Sequence, residues 1–409
     1  MEKTISPASL SGRISIIPSK SATHRAVMMA ALCREPTTLA PLQASRDIEA
    51  TLACSRALGL GQPNLAFTPL RTLDCGESGS TLRFFIPLAL DGRGPVRFIG
   101  HGRLMQRPMD VYEQLFEPRG VRWELGGDSL TVEGQLTSGL YSLRGDVSSQ
   151  FITGLLLALP QLEGESVIRI TTQLESRAYV ELTRRIQRAF GVVSEWTDSQ
   201  TLVIPGSQTP TSPGAFTIEG DWSHAAFYLV AGAISANGPL TLTGLDMDST
   251  QGDRAIVPIL RSMGAIIEPD RRGLTVCPSR MRPALVDVSQ IPDLVPVLAV
   301  AMAAADGESR ITGAARLRLK ESDRLSAIAR ALNACGGDVT ELDDGLIIRG
   351  GRPLHGATVD GCNDHRIVMA MAVASALATE DFTLTDSEAV AKSAPAFWEE
   401  YASLGGIAR

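Results

Sequence analysis

The chain has 409 residues, of which 44% are hydrophobic, 20% charged and 5% aromatic, the make-up of an ordinary globular protein rather than a disordered or fibrous one. Its formal net charge of -7 excludes a general nucleic-acid coat, because affinity for a phosphate backbone needs Lys and Arg in excess over a broad face. Six scattered cysteines, Cys33, Cys54, Cys75, Cys277, Cys335 and Cys362, form no C-x-x-C pair, which fits reduced thiols in a cytosol and no metal site.

At roughly 150 residues per domain, the length suits two or three domains. The opening MEKTISPASLSG has no apolar h-region, and the longest apolar stretch, 294–305, is too short to span a bilayer and contains Pro296. Neither secretion nor membrane insertion is expected, and the location predicted is cytoplasmic.

In chain order, a pattern returns about every 70 residues, long enough for a whole supersecondary unit. It occurs six times: a short polar or Gly-rich segment runs into an apolar, helical stretch in PSKSATHRAVMMAAL, CGESGSTLRFFIPLAL, DVSSQFITGLLLALP, GDWSHAAFYLVAGAI, IPDLVPVLAVAMAAA and CNDHRIVMAMAVASAL. Helices apolar nearly all round are expected to be buried. Short β-like runs follow, as in VRFIG, SVIRITT, LTLTGL, SRITGA and FTLTDS, where alternation and β-branched residues favour strand.

A second, amphipathic helix comes next and usually stops at glycine, as in VYEQLFEPRG and SDRLSAIARALNACGG. In four copies a hairpin-like segment ends the unit, for example VRWELGGDSLTVEG. The fold class predicted is α/β: two similar domains, each of three repeated units with buried central helices and surrounding sheets. The boundaries place residues 1–18 and 220–409 in a discontinuous domain and 19–219 in a domain inserted into it.

Charge and hydroxyls gather where the apolar helices begin, where free N–H groups and the helix dipole favour anions. In SKSATHR, Ser19 or Ser21 can cap a helix while Lys20 and Arg25 put positive charge on its first turns. In CGESGSTLRFF, Gly76 and Gly79 let backbone approach a ligand, with Ser80 and Arg83 on the next turn. DVSSQF offers two hydroxyls and an amide. RLRLKESDRL packs Arg316, Arg318, Lys320, Glu321, Asp323 and Arg324 into one short segment, and CNDHR sets His365 and Arg366 before an apolar helix. Any one of these reads equally as a capped helix with solvated charges; their recurrence in both halves of an acidic chain points to two anionic ligands between two domains. His24 and His224 are read as packing or capping residues.

KSATHRA, GESGSTLR, the RPM turn at Arg107, SSQF, KESDRL, NDHR and the final KS-x-P occur in an order that resembles the 5-enolpyruvylshikimate-3-phosphate synthase family over essentially the whole chain. The resemblance implies the enolpyruvyl transferase fold, pseudo-threefold in each domain, with an open interdomain cleft that closes on ligands and no metal or organic cofactor. It also implies transfer of the enolpyruvyl group of phosphoenolpyruvate to the 5-hydroxyl of shikimate 3-phosphate by a monomeric enzyme that binds neither nucleic acid nor membrane. Glyphosate sensitivity would depend on the surroundings of Gly79.

By the same resemblance, Lys20, Ser21, Arg25, Ser148, Ser149, Gln150, Ser176, Asp293 and Lys320 hold shikimate 3-phosphate. Lys20, Gly79, Arg107, Gln150, Arg324, Arg366 and Lys392 surround phosphoenolpyruvate. Asp293 acts as base at the hydroxyl and Glu321 as proton donor to the methylene, with Lys20 balancing charge. The chain departs from the common family pattern at Pro18 and Ser80, both tolerable, and at Glu77 and Arg316, which leave the local shikimate contacts open. Two alternatives are an enolpyruvyl transferase acting on UDP-N-acetylglucosamine, whose usual lysine-asparagine pair and reactive cysteine find no match here, and a six-repeat clamp, which would need basic residues along its inner helices.

Overall fold

A helix with no polar face has to be covered on every side, and this requirement organises the protein. In the computed structural model, which describes residues 1–61, 70–270 and 273–409, Val295–Ala303 is buried along its entire length and His365–Ala374 likewise. These two helices and Trp222–Ile234 pack on one another. They form the centre of one compact unit, made of Met1–Ser19 and Glu219–Arg409; the other unit is Lys20–Ile218.

In the second unit the buried helices are Lys20–Leu32, Gly79–Ala89 and Ser149–Ala158. Gly79–Ala89 packs on Ser149–Ala158, and Lys20–Leu32 is held by the outer helices Arg46–Leu58 and Arg177–Ala189. The first contact is close enough to require glycine: a methyl at Gly154 would stand 2.2 Å from the Tyr112 hydroxyl and 2.4 Å from the Arg83 carbonyl oxygen. Tyr112 donates there to the carbonyls of Arg83, at 3.0 Å, and Phe151, at 2.8 Å, so neither helix leaves that carbonyl bare.

Around these centres the repeat takes one form: strand, buried helix, parallel strand, outer helix, hairpin. Arg71–Asp74 pairs in parallel with Val96–Ile99, which runs antiparallel to Ser129–Glu133, itself paired with Arg122–Gly126. The same strand order recurs in the sheets built on Gly12–Ser15, Leu140–Leu143 and Leu285–Asp287. The parallel step needs a crossover, and the buried helix supplies it, except that in the sheet on Gly12–Ser15 the whole of Lys20–Ile218 also lies in the chain between the paired strands.

Two copies depart from this form. In one, Thr358–Val359 and Phe382–Leu384 make the parallel pair, but the hairpin is replaced by the chain's two ends, Lys3–Ser6 and Ile407–Ala408. In the other, Ala215–Thr217 pairs in parallel with Thr38–Ala40 in a two-stranded sheet. Among the described residues no helix is long and apolar enough to cross a membrane.

Candidate active site

The groups singled out by the sequence fall at the starts of the buried helices, and each unit carries its own set. In Lys20–Ile218, the first residue of the Lys20–Leu32 helix is Lys20 itself, whose Nζ lies 3.0 Å from Asp47 Oδ2 at the start of the Arg46–Leu58 helix. Helix Gly79–Ala89 is capped by Ser78, whose side chain accepts from the Thr81 N–H, and helix Ser149–Ala158 by Ser148, which accepts from Gln150 N–H. Ser21 lies inside its helix, while Ser19, immediately before it, donates through Oγ to Gln251 at 3.1 Å.

Three of these helix starts meet through side chains. Gln150 accepts at Oε1 from Arg83, at 2.7 Å, and donates to Ser80 Oγ at 2.9 Å. Arg83 also donates to the Pro108 carbonyl at 2.9 Å, next to the nearly buried Arg107. Behind them, His24 and Thr51 lie 2.7 Å apart, and Thr51 and Thr81 share a 2.7 Å hydrogen bond. Burial first, then Lys20 and Arg25, push the His24 pKa well below its usual value, so this buried bridge is neutral and adds no cation of its own.

Arg25 is 3% exposed and already largely engaged. It donates to Thr183 at 2.8 Å, to the Ser21 carbonyl at 2.7 Å, and to Thr153 and the Tyr179 carbonyl at 3.3 Å. Burial pulls its pKa down to about 10, which leaves it charged at neutral pH. Ser176, at the head of the Arg177–Ala189 helix, sits in the left-handed region at φ 54, a conformation uncommon for a non-glycine residue and concentrated at functional positions.

The other unit gathers its groups around one carboxylate. Asp293, in the turn Pro292–Leu294, lies 2.9 Å from Arg324, 3.2 Å from Arg366 and 3.6 Å from Lys320. Arg324 is 2% exposed and also binds Glu321 at 2.7 Å and the fully buried Asp364 at 2.8 Å. Asp364 in turn accepts from Ser322 Oγ at 2.9 Å and from the Arg366 N–H at 3.0 Å. Three acids thus interlock with three cations, the arrangement that makes burial of such charges tolerable.

Burial alone would raise the Asp293 pKa, but Arg366, Lys320 and Arg324 together hold it well below the usual carboxylate range. Burial lowers that of Lys320, against the opposing pull of Asp293. Lys392 stands a little apart, buried, donating to the Asn363 carbonyl at 2.6 Å. Arg316 donates to the Ser289 carbonyl.

The expected residues therefore form two clusters, Gly79, Arg107 and Gln150 in one unit and Asp293, Lys320, Glu321, Arg324 and Arg366 in the other. Lys20, Ser21 and Arg25 occupy the first turns of a neighbouring helix. The sequence marks Arg83 as a cation on the turn after Gly79 without assigning it to a ligand, and it does not single out Asp47 or Asp364, although Asp364 lies within NDHR beside the residues chosen. Among the described residues no group of three or more His, Cys, Asp or Glu is placed to hold a metal ion.

Residues 5–401 match the family model described as EPSP synthase (3-phosphoshikimate 1-carboxyvinyltransferase). The chain belongs to the EPSP synthase family. It is similar to proteins named 3-phosphoshikimate 1-carboxyvinyltransferase from Clostridium kluyveri, with 44% identity over 98% of this chain and 97% of that one, and from Clostridium novyi, with 42% identity over the same shares. Among solved structures, EPSP synthase from Acinetobacter baumannii superimposes with a TM-score of 0.80 at 25% identity, covering 100% of this chain and 99% of the other. The enolpyruvyl transferase NikO from Streptomyces tendae gives 0.80 at 19% identity, covering 100% and 98%, and shows the shared fold. As a member of the EPSP synthase family, the chain is a transferase with the α/β enolpyruvyl transferase architecture.

Proposed function

We propose that this chain transfers the enolpyruvyl group of phosphoenolpyruvate to the 5-hydroxyl of shikimate 3-phosphate with release of phosphate. The observation that supports this reading is Asp293 within 2.9 Å of Arg324 and 3.2 Å of Arg366, a carboxylate able to serve as base beside two guanidinium groups able to receive an anion. Each substrate brings a phosphate and a carboxylate, and two such ligands repel each other unless cations and helix N-termini surround them.

Phosphoenolpyruvate engages Lys20, Gly79, Arg107, Gln150, Arg324, Arg366 and Lys392. Shikimate 3-phosphate engages Lys20, Ser21, Ser148, Ser149, Gln150, Ser176, Asp293 and Lys320, with Arg25 placing Ser21 and taking part through the donor capacity it retains. Asp293 takes the proton of the 5-hydroxyl as its oxygen bonds to C2 of phosphoenolpyruvate, and Glu321 protonates C3, giving a tetrahedral adduct. In the second step Glu321 takes a proton back from C3, the bond between C2 and the phosphate oxygen breaks, and phosphate leaves with the proton held on Asp293, forming the product enol ether. Lys20 balances the anionic charge through both steps.

Phosphate release measured with both substrates, with each alone, and with UDP-N-acetylglucosamine in place of shikimate 3-phosphate tests the assignment. Release only with phosphoenolpyruvate plus shikimate 3-phosphate is expected. Release with the nucleotide sugar, or none with either acceptor, would overturn it.

A further inference from the structure

A buried chain of hydroxyls behind the Lys20 and Gly79 helix starts has no part in the reaction as described. Thr51, in the outer helix Arg46–Leu58, is fully buried. Its Oγ1 lies 2.7 Å from His24 Nδ1 on the Lys20–Leu32 helix and 2.7 Å from Thr81 Oγ1 on the Gly79–Ala89 helix. Thr81 Oγ1 donates to Ser78 Oγ, also at 2.7 Å, and Ser78 Oγ accepts the Thr81 N–H as the cap of that helix. One hydroxyl on a third helix therefore joins the first turns of two others.

The protons give this chain a direction. A hydroxyl has one proton to donate, so with Thr81 donating to Ser78, Thr51 donates to Thr81 and His24 donates to Thr51 through its Nδ1–H. His24 Nε2 is then a buried acceptor with no hydrogen-bond partner, a cost that an apolar ring in the same place would not carry. Valine has the shape of threonine and would fill either threonine site without desolvating a hydroxyl. Packing alone does not account for these three polar residues.

Both ends of the chain bear on the site. Asp47, which holds Lys20 at 3.0 Å, lies one turn before Thr51 on the same helix, and its carbonyl oxygen is 3.3 Å from Thr51 Oγ1 and 3.5 Å from Thr81 Oγ1. At the other end, Ser78 immediately precedes Gly79. Apolar contacts let neighbouring helices shift by fractions of an ångström, whereas linked hydrogen bonds fix both distance and angle. We propose that Thr51 is a positioning residue for phosphoenolpyruvate, setting the spacing between the Lys20 ammonium and the Gly79 helix start. The inference rests on the assignment of Lys20 and Gly79 to that substrate.

The test is steady-state kinetics with each substrate varied, beside urea unfolding, on the intact enzyme. Thr51→Val keeps the shape and removes the hydroxyl: kcat/KM for phosphoenolpyruvate should fall about tenfold while KM for shikimate 3-phosphate stays within about twofold. Thr51→Ser keeps the hydroxyl and should keep the wild-type values. Gln187→Met removes a buried hydrogen bond to the Leu156 carbonyl in the same unit; it should lower the urea midpoint and leave the kinetics of both substrates unchanged.

Wild-type kinetics in Thr51→Val would overturn the inference. So would a Thr51→Ser as impaired as Thr51→Val, or a loss spread equally over both substrates or shared by Gln187→Met. Should Thr51→Val fail to fold, Thr81→Val cuts the chain one link further on and should show the same asymmetry; wild-type kinetics there would overturn the inference as well. Lys20→Ala and Gly79→Ala separate the two levels. If both keep wild-type kinetics for phosphoenolpyruvate, the assignment of those residues fails and the role of Thr51 with it; if both impair it while Thr51→Val does not, only the role of Thr51 fails.

Discussion

A methyl group added at Gly79 would stand 2.8 Å from a guanidinium nitrogen of Arg107 and 3.2 Å from one of Arg83. The obstacle at Arg107 is the far end of a flexible side chain, so the fold can yield, but only by moving a cation proposed to meet phosphoenolpyruvate. Gly79→Ala should therefore melt near the wild-type temperature while kcat/KM for phosphoenolpyruvate drops about ten- to a hundredfold. The KM for shikimate 3-phosphate should change much less. Steady-state kinetics with each substrate varied would check the asymmetry.

Lys20 is oriented by Asp47, 3.0 Å away. Lys20→Ala should lower kcat by at least about a hundredfold and leave the urea midpoint close to wild type, since the lysine is part-exposed and stabilises the fold little. Asp47→Asn keeps the lysine but loosens it, and a smaller loss, near tenfold, is expected.

Arg324 carries a structural burden that Lys20 does not. Its removal strands Asp293, Glu321 and Asp364 without their shared partner, so Arg324→Ala should destabilise the protein by about 3–5 kcal/mol in urea unfolding. Arg324→Lys should rescue little, because one ammonium cannot reproduce a planar fork that reaches three carboxylates.

Glu321→Gln should still bind both substrates but turn over far more slowly, because it removes a transferable proton without removing the partner of Arg324. Binding measured by calorimetry alongside kcat separates the two effects.

Stability should respond to acid through two opposed groups. Asp253, raised to about 6, binds its proton more tightly folded than unfolded, so its contribution falls as pH rises from about 4 to 6 and is then level. Asp293, held well below its usual range, contributes stability above its unfolded pKa that is lost as pH falls toward the folded one. Urea titrations between pH 4 and 7 should show Asp253→Asn gaining stability relative to wild type as pH rises through that interval.

Periodicity and composition carried much of this molecule into view. The apolar stretches with polar starts are helices buried in the middle of their units, because a residue's hydrophobicity and its position along a helix are local properties. The placement of Lys20, Gly79, Gln150 and Arg366 at or near helix starts was legible for the same reason. What chain order cannot express is who faces whom. Arg324 meets carboxylates from IPDLVP, KESDRL and NDHR at once, Lys20 answers to Asp47 from the next helix, and the two chain ends stand in for a missing hairpin. Asp253 reads in sequence as an ordinary acid in QGDRA and acquires its raised pKa only when its turn is packed away from water. Charge pairing and desolvation depend on distance through space and on what has been excluded from that space, and both are set when the repeats pack together.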